Sequence, residues 1–344
     1  MTQTASRPRR ARIFLPLIAF VVLLAAYTVY WFYAAGQIER QARGWIAEQE
    51  AAGYQMDHGR MHVSGWPFRL SLRVHQPDVT APAAEGGWNA RWNTLAMTAL
   101  PYDFNRWILA FDGPMVLTGR GGITRTLTAD DARASFAFRD GRTDRIGVEI
   151  DNFLIQADDE AAPLVRRLGA LRLNGAIAED DSLSVRAEMT EISFAPGALG
   201  EDIQGAFGDF AERIRLDASL SSWEALAATV DPVLWAGEGG RMDIRASQVH
   251  WGPARLEGSG SLGLDAQRRP EGRIQLTVFD VEALIQALAA SGTLSSDETT
   301  AMRLAAAIAP RSEGGIVLPF RASDGGIYLG PVRIADAGPL GGED

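Results

Sequence analysis

Histidines, clustered carboxylates and a glycine motif are the residues of this chain whose spacing could support chemistry. His58 and His62 are four residues apart, a separation that places two metal ligands on one face of a helix. Gly59 lies between them in a stretch that we interpret as extended, where the two rings would be roughly 13 Å apart. We therefore expect that they do not share a metal ion, and that His75 and His250 are isolated, solvated or hydrogen-bonded residues.

Three groups of acidic residues could be imagined as general acids or calcium ligands. They are Asp130-Asp131, Asp158-Asp159-Glu160 and Glu179-Asp180-Asp181. Each group falls at a predicted turn, and none has the spacing of a calcium-binding loop. We interpret them as solvated loops and assign no catalytic or metal-binding residue. A hydrolase whose carboxylates are distant in sequence stays open as an alternative.

A glycine motif, Gly258, Gly260 and Gly263, matches the G-x-G-x-x-G pattern of dinucleotide-binding folds. That pattern must open a helix, yet here it is followed by a turn signal that ends at Pro270. We therefore predict glycines within a strand and no nucleotide cofactor. The chain has no cysteine, which excludes disulfides and thiolate chemistry.

An uncharged segment near the N-terminus indicates where the rest of the chain would lie relative to a membrane. Residues 13–36 contain no charged side chain and would form a helix about 36 Å long, enough to cross a bilayer. Basic residues precede it, and aromatic residues Tyr30, Trp31, Phe32 and Tyr33 end it. The basic residues are Arg7, Arg9, Arg10 and Arg12.

This flank favours a cytoplasmic N-terminus, with Trp31 and Tyr33 in an aromatic belt at the far interface. We predict a cytoplasmic basic tail over residues 1–12, a transmembrane helix over 13–36 and a periplasmic β-rich domain over 37–344. A cleaved signal peptide is the alternative, but the apolar run is too long for one. The part after residue 36 holds all 43 acidic residues, which argues against a nucleic-acid partner.

The period of the apolar residues changes after the anchor. Residues 37–52 keep helical spacing, whereas from Phe68 onward apolar and polar residues alternate as in a half-buried strand. The first candidates for an apolar groove or core are Trp66, Phe68, Leu70, Leu72 and Val74. Further strands are predicted over residues 88–100, 107–111, 123–128, 134–138, 146–150, 171–177, 183–189, 242–251 and 273–279.

Helices interrupt the strands at a few places. We predict them over residues 199–214, 225–230, 281–290 and 296–308. A capping box of Ser221 and Glu224 would start the second, and Asp280 would cap the third. The fold class is therefore mainly β (α+β): an N-terminal transmembrane helix, then a large, curved, mostly antiparallel sheet with a few covering helices.

Several glycine-, proline- and aromatic-rich motifs carry a family resemblance. They are Gly65-Trp66-Pro67-Phe68-Arg69, Trp251-Gly252-Pro253 and the tail motif from Asp324 to Val332. The chain resembles the membrane-anchored alphaproteobacterial family of domain of unknown function 2125, and is more loosely similar to AsmA-like envelope proteins. The first resemblance implies no activity. The second implies a long sheet curved into an apolar groove and a part in lipid traffic between membranes.

These observations together favour a non-enzymatic protein of the bacterial inner membrane, with most of the chain in the periplasm. Apolar strand faces outnumber the helices available to cover them, which predicts an apolar concavity. We expect it to bind or transfer phospholipid or another hydrophobic ligand in envelope homeostasis. An envelope scaffold whose sheet packs on a partner protein explains the same strands.

Overall fold

The structure is a computed structural model that describes residues 11–157, 163–229, 231–312, 314–330 and 332–339. Strands account for 50% of the residues and helices for 26%, which confirms the mainly β fold class. The helices are α1 (Ala11–Ala51), α2 (Glu201–Phe207), α3 (Trp223–Thr229), α4 (Pro232–Gly237), α5 (Val281–Ala290) and α6 (Ser296–Ile308).

Most strands are longer than the alternating runs that predict them. The first nine are β1 (Gln55–Asp57), β2 (Met61–Ser64), β3 (Leu70–His75), β4 (Asp78–Thr80), β5 (Asn89–Leu100), β6 (Asp103–Thr118), β7 (Thr124–Thr128), β8 (Asp131–Arg139) and β9 (Arg142–Ala157). The next five are β10 (Val165–Ile177), β11 (Leu183–Phe194), β12 (Phe210–Leu220), β13 (Met242–Trp251) and β14 (Ala254–Leu264). The last five are β15 (Pro270–Phe279), β16 (Arg311–Ser312), β17 (Gly315–Ser323), β18 (Gly326–Leu329) and β19 (Val332–Asp336).

These strands form one sheet in which every described pairing is antiparallel. Fifteen strands follow one another across it, in the order β2-β3-β5-β6-β8-β9-β10-β11-β12-β13-β14-β15-β17-β18-β19. The short strands β1, β4, β7 and β16 extend individual pairings. At about 4.8 Å per strand, the sheet is about 67 Å wide.

Helix α1 joins the apolar N-terminal segment to this sheet without a break. It runs from Ala11 to Ala51, so residue 37, where we place the domain boundary, lies inside it. Four residues of α1 enter a buried cluster with Leu70 and Leu72 of β3; they are Trp31, Ala34, Ala35 and Ile38. The side chain of Glu39 also accepts a hydrogen bond of 3.0 Å from the backbone N–H of Val63 in β2. The second half of α1 is therefore part of the folded domain.

The predicted helix over residues 199–214 is wrong after Phe207. The chain leaves α2 at Gly208, which has φ 82°, and continues as β12 from Phe210. Apolar residues four apart, such as Phe210 and Ile214, fit an alternating strand as well as a helix. The segment forms a strand because it pairs with β11 on one side and with β13 on the other.

Two predicted helix caps are also wrong, although both helices, α3 and α5, are present. The N–H of Glu224 in α3 donates a hydrogen bond of 2.8 Å to the carboxylate of Asp181, which lies in another turn. Asp280, before α5, has φ 56° and makes no side-chain cap hydrogen bond. Helices α5 and α6 nevertheless have the predicted limits.

Candidate functional site

The most extensive feature of the sheet is one continuous apolar face. Residues directly opposite each other on neighbouring strands point to the same face, so the strand register defines rows across the sheet. The central row is Leu72, Met97, Leu109, Ala134, Val148, Leu173, Ala187, Leu216, Ser247, Gly258, Leu276 and Leu318. Ser247 is its one polar side chain.

The rows on either side of the central row have the same character. One is Val74, Leu95, Phe111, Ala132, Ile150, Leu171, Met189, Ile214, Val249, Leu256, Val278 and Ile316. The other is Trp107, Phe136, Ile146, Gly175, Val185, Ala218, Ile244, Gly260, Ile274, Phe320 and Leu329. We call the surface made by these three rows the apolar face.

The opposite face of the sheet carries charge. Its middle row continues the same pairings through Arg133, Glu149, Arg172, Glu188 and Arg215, so the sign of the charge alternates from strand to strand. Such cross-strand pairs stabilise a sheet when opposite charges face each other. We call this surface the charged face.

A cavity of about 1050 Å³ lies on the charged face, next to an ion-pair group. Asp217 accepts from Arg186 at 2.9 Å and from Arg245 at 2.8 Å. These hydrogen bonds lower the pKa of the Asp217 carboxyl, that of Arg186 having the larger effect. Because this carboxylate lies between the two guanidinium groups, it offsets part of their charge.

The apolar face is covered at both of its ends. At one end, α1 covers Leu70, which is 0% exposed, and Leu72. At the other end, Leu284 of α5 packs with Val278, and Ile285 packs with Ile316. On β10, β11 and β12, one row of the face also packs against a cluster that contains Phe194 and Ala211.

The central row of the apolar face is open between β6 and β12. Its six residues there are half-buried, and none belongs to the packed clusters that the described helices form; they are Leu109, Ala134, Val148, Leu173, Ala187 and Leu216. We call them the open segment. With a row spacing of about 7 Å, the open segment presents on the order of 150 Å² of apolar surface. The row beside it is partly packed, because Leu171, Met189 and Ile214 contact the cluster around Phe194. An apolar strip of this kind on a protein surface is a candidate binding site.

The residues predicted for the groove or core divide into two groups. Leu70 and Leu72 are buried core under α1, and Val74 packs against the same cluster. Trp66 and Phe68 do not belong to β3, which begins at Leu70; they lie in the turn before it and are exposed. The prediction that Phe68 starts this strand is wrong, because the hydrogen bond from the N–H of Arg69 to the carbonyl of Gly65 closes a turn there.

The residues from which we predict the orientation of the helix in the membrane also differ in their surroundings. Tyr33 is exposed, but Trp31 is 3% exposed and donates from its indole N–H to the carbonyl of Arg69 at 3.2 Å. Trp31 is therefore a core residue and not a member of an open aromatic belt. Arg7, Arg9 and Arg10 lie outside the described residues, as does the side chain of Arg12.

The described residues hold no group of three or more metal-ligating side chains. Asp131 pairs with Arg133 at 2.9 Å, and Asp180 accepts from Ser182 at 2.7 Å. The cluster from Asp158 to Glu160 lies outside the described part.

The expectation that His75 is isolated is wrong, since its ring stacks on that of His62 with centroids 5.7 Å apart. Adjacent strands bring together two histidines that are far apart in sequence.

The glycine motif lies inside β14, as the sequence predicts. A Cβ at Gly260 would lie 2.1 Å from the carbonyl oxygen of Arg273, whereas a Cβ at Gly263 would meet nothing closer than 3.7 Å. The glycine at position 260 therefore permits close approach of β14 and β15.

We expect Gly260→Ala to lower the free energy of unfolding by about 1 to 3 kcal/mol, as overpacking does. Gly263→Ala, in the same strand and motif, should change it by less than about 0.5 kcal/mol. Urea unfolding of both variants followed by circular dichroism measures the difference. Equal effects at the two positions would contradict the close-approach explanation.

Comparison with known proteins identifies a family to which the chain is similar. The family model described as an uncharacterized protein conserved in bacteria, DUF2125, matches residues 31–338. No curated protein and no solved structure matches the chain. The matched range begins at Trp31, the first residue of α1 in the buried cluster with β3, and ends just after β19, the last described strand. The chain therefore belongs to the DUF2125 family.

Proposed function

We propose that this protein is anchored in the bacterial inner membrane by α1, extends into the periplasm, and binds or transfers lipid on its apolar face without catalysing a reaction. The anchor is supported by one helix that is long and apolar enough to cross a membrane, with a mean hydropathy of 2.0. Large apolar side chains along it are exposed, among them Phe14, Phe20 and Val29. The arginines before it favour an orientation with the N-terminus in the cytoplasm.

The observation that carries the lipid proposal is the open segment of the apolar face. Each methylene that leaves water gains about 0.8 kcal/mol, so ten methylenes on this surface would gain about 8 kcal/mol before the cost of ordering the chain. The open segment is about 24 Å long, a length suited to an extended acyl chain. It carries no titratable side chain, so the proposal assigns it binding and no chemistry.

Photocrosslinking in living cells tests the proposal at matched positions. Val148 and Leu173 oppose each other on the apolar face, while Glu149 and Arg172, the neighbouring residues on the same strands, oppose each other on the charged face. With benzoylphenylalanine at each position in turn, we expect lipid adducts at 148 and 173 and none at 149 and 172. Mass spectrometry of the purified protein identifies the adducts.

Two other results would count against lipid binding. Equal lipid labelling on both faces would indicate non-specific contact with membrane. A protein adduct of discrete mass at 148 and 173, without lipid, would favour the envelope-scaffold alternative, in which a partner's apolar surface covers the open segment.

A further inference from the structure

Two turns at the α1 end of the sheet expose a group of large apolar side chains. One turn precedes β3 and carries Trp66 and Phe68; the other joins β5 to β6 and includes Tyr102. Phe68 is 80% exposed and Tyr102 is 79% exposed, and Leu100 and Phe104 are exposed beside them. We call these five residues the aromatic tips.

Hydrogen bonds from α1 fix the position of both turns along the helix. The hydroxyl of Tyr27 donates to the carbonyl of Pro67, and the hydroxyl of Tyr30 donates to the carbonyl of Pro101 at 2.7 Å. The indole of Trp31 donates to Arg69 in the first turn. The aromatic tips therefore lie beside residues 27 to 31 of α1.

That part of α1 lies within the reach of the bilayer. A hydrocarbon core of about 30 Å takes about 20 helical residues, so a span that begins at Ile13 extends to about Phe32. Tyr27 is five residues before that limit, which places it about 8 Å inside it. The turn bonded to Tyr27 thus cannot lie clear of the membrane in which the helix is embedded.

The backbone of the two turns is also suited to a medium with little water. Lipid offers no hydrogen bonds, so carbonyl groups that enter it must find partners within the protein. The tyrosine hydroxyls donate hydrogen bonds to the carbonyl groups of Pro67 and Pro101, and the N–H of Arg69 donates one to the carbonyl of Gly65. In the second turn, the indole of Trp107 donates to the carbonyl of Phe104 at 2.8 Å.

We infer that the aromatic tips insert into the outer leaflet of the bilayer crossed by α1, so that the sheet is held to the membrane at a second place. This inference rests on the membrane anchoring proposed above. Aromatic side chains with a polar atom, such as those of Trp66 and Tyr102, favour the interface between headgroups and acyl chains. Trp107, the first residue of one row of the apolar face, is three residues after Phe104, so this row starts close to the aromatic tips.

Site-directed fluorescence tests the insertion in the full chain, which has no native cysteine. We would place single cysteines at Phe68 and Tyr102, label them with the environment-sensitive dye NBD, and reconstitute the protein in liposomes of phosphatidylethanolamine and phosphatidylglycerol. A cysteine at Val22, within the span, is the control for anchoring. A cysteine at Ala84 is the control for water, since the neighbouring Glu85 bonds to Tyr54, beyond the opposite end of α1.

We expect blue-shifted emission at positions 68, 102 and 22, and loss of most of that emission when the lipids carry doxyl groups near the top of the acyl chain. The dye at position 84 should keep the emission it has in water. Quenching at 22 with water-like emission at 68 and 102 would overturn the inference and leave the anchor standing. Water-like emission at 22 as well would reject the anchor, and the inference with it. Both tip positions are exposed, so their substitution should leave the circular dichroism spectrum unchanged.

Discussion

Replacing Leu70 by alanine should lower the free energy of unfolding of the sheet domain by about 2 to 5 kcal/mol, the usual cost of truncating a buried leucine. Leu70 is 0% exposed and lies in the cluster where α1 meets β3. Its truncation leaves a cavity that the helix cannot easily fill, because hydrogen bonds on both sides hold α1 in place. Urea unfolding of the full chain in mild detergent, followed by circular dichroism, measures the loss.

Phe68→Ala is the matched control for this experiment. The alternating pattern of the sequence treats Phe68 and Leu70 as equivalent core positions, but Phe68 is 80% exposed. Its truncation should change the free energy of unfolding in detergent by less than about 0.5 kcal/mol. A loss at Phe68 as large as that at Leu70 would mean that the turn packs into the core.

Trp31→Ala should have a comparable or larger effect, about 3 to 5 kcal/mol. The indole is buried against β3, and its removal also leaves the carbonyl of Arg69 without its donor. The same unfolding measurement applies.

Tyr33→Ala is the control for Trp31, since Tyr33 lies on the same helix and is 62% exposed. It should change the free energy of unfolding by less than about 0.5 kcal/mol. If the two variants unfold at the same urea concentration, the second half of α1 would be an anchor only, with no part in the fold of the domain.

A soluble form of the protein that begins at residue 37 would therefore lose part of its core. Trp31, Ala34 and Ala35 are in the buried cluster and precede that residue. The family match, which begins at residue 31, includes all three. The absence of charge in residues 13–36 predicts which part of α1 crosses the membrane. It does not indicate the residue at which α1 begins to pack against the sheet.

Much of the fold follows from short-range pattern. Helices α5 and α6 have clear limits because Gly292 and Pro310 end them, and β13 matches its predicted range because turns bound it. Strands such as β9 are longer than predicted because pairing with a neighbour stabilises residues whose own pattern is irregular. The segment after Gly208 is misread because residues four apart satisfy both periods.

The sequence predicts that an apolar face exists, but not which of its residues are left uncovered. Alternation within β3 indicates this face, and Leu72 lies in its central row, at the end covered by α1. Which residues form the open segment depends on the register between strands, and on where helices happen to cover the sheet. The burial of Trp31 depends on a contact across 38 residues, which local spacing does not encode.

The order of strands in the sheet has a consequence for how the chain acquires its structure. Nearly every strand pairs with the next strand along the chain or with the one after it, for example β9 with β10 and β15 with β17. Such pairings close short loops, whose entropic cost is small, and low sequence separation between contacts favours fast folding. A chain that emerges N-terminus first can add each strand to the edge made by the one before it. Helix α1 and β3 would form the first template, and each added strand would present an edge open to wrong pairing until the next strand covers it.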